Sequence, residues 1–154
     1  MPTASAHAPR YVPKAITENT AYLLARLGSI STAAFREALE PMALGPRHYA
    51  VLTTLVDQGE LATQHAVGGC LAIDPSTMVA VVDELEDQGL LTRRRDPADR
   101  RRYLLSLTTK GRRVHSACRS AADRCEAELL SALDDDQRAT LRHLLQRALA
   151  ACDA

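Results

Sequence analysis

The sequence predicts a mainly α chain interrupted once by a small β-hairpin. Two observations predict it. Apolar residues recur at three- and four-residue steps through six segments. Between the fourth and the fifth, that period gives way to two short β-like runs around a charged turn.

The N-terminal stretch, residues 1–13, sets Pro2, Pro9 and Pro13 among small polar residues and reads as a loose arm. A first helix is expected from about Thr17 to Leu39, carrying Leu23, Leu24, Leu27, Ile30, Ala34 and Leu39. Pro41 and Leu44-Gly45-Pro46 break it. Pro46 suits the first turn of a second helix, which runs through Tyr49, Leu52, Leu55 and Val56 and stops at Gly59. Thr63 is the expected N-cap of a short third helix with Val67 and Leu71 inward. Gly68-Gly69 weakens that helix by about 1 kcal/mol per glycine relative to alanine. Asp74 then caps a fourth helix with Pro75 in its first position, Met78, Val81, Val82 and Leu85 on one face, and an end at Gln88-Gly89.

Leu90-Leu91-Thr92 and Tyr103–Leu107 read as strands flanking the turn Arg93–Arg102. Thr108 is placed to cap a fifth helix reaching about Leu133. Asp134 and Gln137 form a capping-box pattern that opens the sixth, with Leu141, Leu144, Leu145 and Leu149 on one face. Two short helices joined by a tight turn and followed by a hairpin make a winged helix-turn-helix arrangement.

Composition narrows the function classes. Hydrophobic residues make up 46% of the 154, enough for a core, and disorder of the whole chain is excluded. Aromatics are 3%, too few for a stacking platform. No apolar run approaches membrane-spanning length, and no apolar leader precedes the arm, so no membrane role is expected and the chain is placed in the cytoplasm. Cys70, Cys118, Cys125 and Cys152 form no C-x-x-C pair, and reduced thiols are the default. Cys118 and Cys125 share a helix face about 10 Å apart, beyond disulfide reach. Cys70, near the end of the third helix, is expected in the core. No metal spacing, phosphate loop or nucleophile–base pattern is visible, so neither a cofactor nor enzymatic activity is expected.

Charge is the most informative feature. Nineteen basic residues balance nineteen acidic ones, which taken whole argues against nucleic acid. Along the chain, however, the charges are segregated. Between Arg93 and Arg113, nine cations face only Asp96 and Asp99, a local balance of +7. The acids lie in Asp83, Glu84, Glu86, Asp87 and Asp134–Asp136. An all-arginine hairpin behind a short helix fits a minor groove, whose narrowness deepens the negative potential.

Several segments together carry a family resemblance. They are Leu85–Leu91, Arg94-Arg95, Asp96-Pro97-Ala98-Asp99-Arg100-Arg101 and Leu107-Thr108-Thr109-Lys110-Gly111, with Leu44–Leu52 and Ile73–Val79 upstream. Over roughly residues 17–150 the chain resembles the MarR (multiple antibiotic resistance) regulators. The resemblance implies a winged helix-turn-helix lobe on a helical dimerisation platform. Residues 1–16 would be a flexible arm, 17–44 a dimerisation helix, 45–108 the DNA-binding lobe and 109–154 the C-terminal dimerisation helices. It implies a homodimer placing two lobes on a near-palindromic double-stranded operator. The apolar terminal helices support a partner independently.

Site residues follow position by position. Arg101 matches the wing-tip arginine of the minor groove, with Arg94, Arg95 and Arg100 beside it. Asp99 matches the acid that orients the wing by pairing with arginine. Ser76 and Thr77 match the recognition-helix N-terminus, whose hydroxyls and amides suit phosphate or base edges. Thr63 and Gln64 match a phosphate contact. The chain departs from many relatives at Val79 and Ala80, which offer apolar contact to thymine methyls in place of hydrogen bonds. Asp83 and Glu84 would repel phosphate if they faced it.

The resemblance also implies repression relieved by a small aromatic or phenolic effector between platform and lobe, with Tyr22, Arg26 and His48 as candidates. A cysteine early in the first helix, as in the redox branch, is missing, and no metal-sensing cluster can be placed. The alternatives are a winged-helix protein–protein module without DNA binding, a thiol-based redox-responsive regulator, and a thiol enzyme built around Cys118 or Cys125.

Overall fold

The structure, a computed structural model, describes residues 13–59 and 62–152. The expected arm falls mostly on residues 1–12, which lie outside the described residues. Its last residues enter a four-residue helix, α1 (Lys14–Thr17). The long first helix, α2, spans Thr20–Leu39, three residues shorter at its start than the apolar period suggests. Asn19 sets that start: its extended backbone breaks from α1 and its side chain accepts the Tyr22 N–H at 2.9 Å.

A single 3-10 turn at Glu40–Met42 leads to α3 (Pro46–Gln58), which ends at Gly59 with φ of 75°. Then come β1 (Ala62–Thr63), α4 (Gln64–Cys70) and α5 (Pro75–Asp87). The wing is β2 (Leu91–Arg95) and β3 (Tyr103–Leu107), followed by α6 (Thr109–Leu129) and α7 (Asp135–Cys152). The capping expectations hold. Thr63 accepts Ala66 N–H, Asp74 accepts Thr77 N–H and Thr108 accepts Gly111 N–H, while Asp134 and Gln137 bond each other reciprocally.

Three differences from the sequence reading have physical causes. The sheet has three antiparallel strands, in the order β1-β3-β2, because Ala62 and Thr63 pair with Leu105 and Leu104. A two-residue strand shows no alternation to read. β2 runs through Arg95 because Arg93–Arg95 pair with Leu105–Tyr103, so three arginines of the expected turn are ladder residues. Finally, α6 stops at Leu129 rather than about Leu133, in a turn closed by Ser131 and Leu133 amides.

The core is centred on the lobe and completed by Leu39 of α2 and Cys118 of α6. Leu39, Val51, Leu52, Val67, Val82, Leu85, Leu91 and Leu105 are fully or almost fully buried, and Met78 joins them. Val56, expected inward, is instead 39% exposed, and Val51 takes the inward place on α3. The terminal helices contrast with this core. α7 buries none of its residues, and Leu23, Leu24, Ile30, Leu144 and Leu149 are among the exposed large apolar side chains.

One of the contacts that fasten the lobe to α6 is made by backbone. Gly89, with φ of 67°, and Leu90 close α5 in a Schellman arrangement, their amides bonding Glu86 O and Leu85 O. Thr108 Oγ1 donates to Gly89 O at 2.8 Å, Thr108 N–H donates to Leu90 O, and Lys110 Nζ donates to Gln88 O at 2.7 Å. Gly111 sits so close that a Cβ there would fall inside the Leu90 carbonyl. The obstacle is backbone rather than a flexible side chain. Gly111→Ala should therefore destabilise the fold by about 3 kcal/mol, the upper part of the overpacking range. A urea-unfolding midpoint equal to wild type would refute this account of the junction.

Candidate nucleic-acid interface

One face of the lobe gathers the wing tip and the start of α5. Pro75 and Val79 on α5, Gln64 on α4 and Arg101, Arg102 and Tyr103 of the wing line a common recess of about 400 Å³. Val79 and Ala80 are exposed there, Val79 to 43%.

The wing turn is held by its own aspartates. Asp96 Oδ1 accepts Ala98 N–H at 2.9 Å and Asp99 Oδ1 accepts Arg101 N–H at 3.0 Å, two successive Asx turns. Backbone bonds Asp96 N–H to Arg102 O and Arg102 N–H to Asp99 O close the loop. Asp99 thus shapes the wing through a backbone amide, and the expected pairing with an arginine side chain does not occur. Arg94, Arg95, Arg100, Arg101 and Arg102 are all exposed. Among the described residues, no carboxylate pairs with any of these five.

Arg93 behaves differently. Its Nη2 lies 2.8 Å from Asp83 Oδ1 and 3.3 Å from Glu86 Oε2, and its amide donates to Glu86 Oε1. Asp83 and Glu86 are therefore committed to the wing base. Glu84 turns to His48, with Oε2 and Nε2 2.7 Å apart.

The N-terminus of α5 corrects another expectation. Asp74 Oδ1 accepts both the Ser76 hydroxyl and the Thr77 amide. The Ser76 hydroxyl and then Thr77 hold the Asp74 carboxyl well below the usual carboxylate range. The hydroxyl and amide expected to be available for an anion are thus occupied by a carboxylate. Thr63 likewise spends its hydroxyl oxygen on Ala66 N–H, and Gln64 Oε1 is buried without a hydrogen-bond partner among the described residues.

The effector candidates do not form one site. Arg26 Nη1 donates to Tyr22 Oη at 3.4 Å, while His48 is fixed between Gly45 N–H and Glu84. None of the three lines the large apolar groove between α2, α6 and α7. That groove, of about 520 Å³, is walled by residues such as Leu27, Phe35, Leu129 and Leu141, with Glu126 and Arg142 paired at 2.8 Å. At one end stand aromatics the sequence reading passed over. Phe35 meets Tyr49 edge-on with centroids 5.3 Å apart, and Tyr49 stacks on His115 at 5.7 Å. Helical spacing marked Tyr49 as inward but did not show its cross-helix partner.

Cys118 is buried and burial raises its thiol pKa, so it is not an activated thiolate. Cys70, expected in the core, is exposed at the end of α4, where it accepts Gln58 Nε2–H. Among the described residues, no three His, Cys, Asp or Glu side chains converge as a metal site. No single described helix is long and apolar enough to cross a membrane.

Fold and site together define a winged helix-turn-helix protein with an arginine-tipped wing. A model of the MarR family matches residues 44–102. A crystal structure of a MarR-family transcriptional regulator from Rhodococcus sp. RHA1 is 33% identical with a TM-score of 0.78, covering 87% of this chain and 94% of that one. CouR from Rhodococcus jostii RHA1, bound to p-coumaroyl-CoA, is 30% identical with a TM-score of 0.75 over 87% and 94% of the two chains. A mutant MarR from E. coli complexed with operator DNA is 25% identical with a TM-score of 0.74 over 84% and 92%. A putative transcriptional regulatory protein for the hcr operon of Thauera aromatica is 34% identical over 102 residues, 66% of this chain. The match spans 61% of that relative's length. The chain belongs to the MarR family of transcriptional regulators, which are not enzymes.

His115 makes the stack sensitive to acid. Burial first and the Arg119 charge second lower its pKa below the ordinary 6.5, against an opposing pull from Asp57. The unfolded chain therefore takes up the proton first as pH falls. Stability should drop below about pH 6.5 and level off once the folded form is also protonated. His115→Gln should flatten this part of the urea midpoint–pH curve between pH 7 and 5; an unchanged slope would contradict it.

Proposed function

We propose that this chain is a homodimeric, sequence-specific regulator that binds double-stranded DNA, with Arg101 and its neighbours in the minor groove and α5 in the adjacent major groove. The observation that carries this reading is the shared face. Arg101 and Arg102 of the wing line one recess with Val79 of α5, and the five exposed wing arginines have no carboxylate partner among the described residues. The complex of the E. coli relative with operator DNA supports DNA as the partner. With the Asp74 carboxylate occupying the α5 N-terminus, Ser76 and Thr77 act mainly as helix builders. Phosphate affinity then rests on the wing, and base reading on Val79 and Ala80 by apolar contact.

Dimerisation uses the exposed Leu23, Leu24 and Ile30 of α2 with Leu144 and Leu149 of α7, surfaces the single chain leaves to water. The protein acts as a repressor released by a small ligand whose apolar body occupies the groove beside Phe35 and Tyr49. CouR's binding of p-coumaroyl-CoA supports a ligand of phenolic character.

Selection of bound duplexes from a random pool, repeated with a panel of aromatic carboxylates and phenols, tests operator and ligand together. The native mass should be twice 16.7 kDa. Arg101→Ala should weaken binding to the selected duplex by about 1–3 kcal/mol. Binding indifferent both to salt and to Arg101→Ala would remove the DNA reading.

A further inference from the structure

The wing aromatic Tyr103 has no part in the function argued so far. Its place in the fold is specific. Tyr103 pairs with Arg95 at the last rung of the β2–β3 ladder before the wing turn. The Arg93 guanidinium carbon stands 5.3 Å from its ring centroid and the Arg95 carbon 5.5 Å, both within cation–π range. Arg93 also reaches back to Asp83 and Glu86 on α5. Arg95 reaches forward, its Nη1 donating to Arg100 O at 3.0 Å across the turn. A continuous line of contacts thus runs from the α5 carboxylates through Arg93, the Tyr103 ring and Arg95 to the backbone that carries Arg100 and Arg101.

We propose that Tyr103 is a positioning residue that fixes the wing tip relative to α5 by holding two like-charged guanidinium groups against one ring. Without the ring, Asp83 and Glu86 neutralise Arg93 only. Arg95 then has no ring face to rest on and loses its hold on the Arg100 carbonyl. The wing tip moves away from the spacing that lets it and α5 engage adjacent grooves together. The phenolic hydroxyl has no part in this; the ring face does. The inference rests on the DNA-binding reading above.

The test compares Tyr103→Leu, Tyr103→Phe and Arg101→Ala on the duplex that the wild-type protein selects from a random pool, at several salt concentrations, alongside thermal midpoints. Tyr103→Leu should bind at least tenfold more weakly. Its plot of log affinity against log salt should be shallower by about 1, as a wing cation leaves its phosphate. Its thermal midpoint should stay near wild type. Tyr103→Phe should restore both affinity and slope.

A merely structural role would lower the midpoint and leave the slope intact, and that result overturns the proposal. So does equal loss in the Phe and Leu variants, or Tyr103→Leu binding like wild type while Arg101→Ala binds weakly. If both Tyr103→Leu and Arg101→Ala bind like wild type, the DNA reading falls first and this inference with it. Should the Leu variant fail to fold, Tyr103→Val, well suited to a strand, takes its place under the same criteria.

Discussion

The close approach of Gly111 to the Leu90 carbonyl is the constraint on which the rest of the molecule depends. At that point α5 ends, β2 begins and α6 starts, so three elements meet over a few residues. Thr108 serves all three at once, capping α6 while donating to Gly89 and Leu90 carbonyls. Lys110 adds a cation at the C-terminal end of α5, where the helix dipole favours one. The direction in which α6 leaves the lobe is therefore set by backbone contact. Side-chain repacking alone cannot alter it.

Charge is arranged around the same point. The +7 segment is not uniformly presented to solvent, because Arg93 is half-buried against Asp83 and Glu86. Of the exposed cations, Arg94, Arg95 and Arg100–Arg102 belong to the wing, and Lys110, Arg112 and Arg113 to the first turns of α6. Acids on α5 that looked repulsive to phosphate hold the wing base and the start of α3 through Arg93 and His48. Internal pairing thus lets an electrically neutral chain keep one strongly basic edge.

Much of this was legible in the sequence because it is local. Helix starts are written in residues that bond amides two or three positions on, and Asn19 apart, each was readable at Thr63, Asp74, Thr108 and Asp134. The apolar face of α5 was readable because all four of its residues meet one core. What escaped depends on distant partners. β1 exists because β3 lies beside it, and Arg93 looked like its neighbours until α5 supplied two carboxylates. Tyr49 and His115 lie on different helices, and nothing in their spacing announces a stack. The family pattern located the wing motif but not the chemistry of Asp99, which bonds a backbone amide where arginine pairing was expected, nor that of the Ser76 hydroxyl, which bonds Asp74.

Two titratable groups, Asp74 and His115, divide the molecule into parts with different responses to acid. The Asp74 carboxyl is held so far down that the turn at the head of α5 keeps its charge and its geometry throughout the mildly acidic range. His115, on α6 against Tyr49 and Thr53 of α3, is pushed away from its ionised form, and the fold loses stability as protons become available. Modest acidification therefore loosens the packing of α6 on α3 while the Asp74 turn keeps its charge. The head of α5 and the seam between α3 and α6 thus answer the same change of pH in different ways.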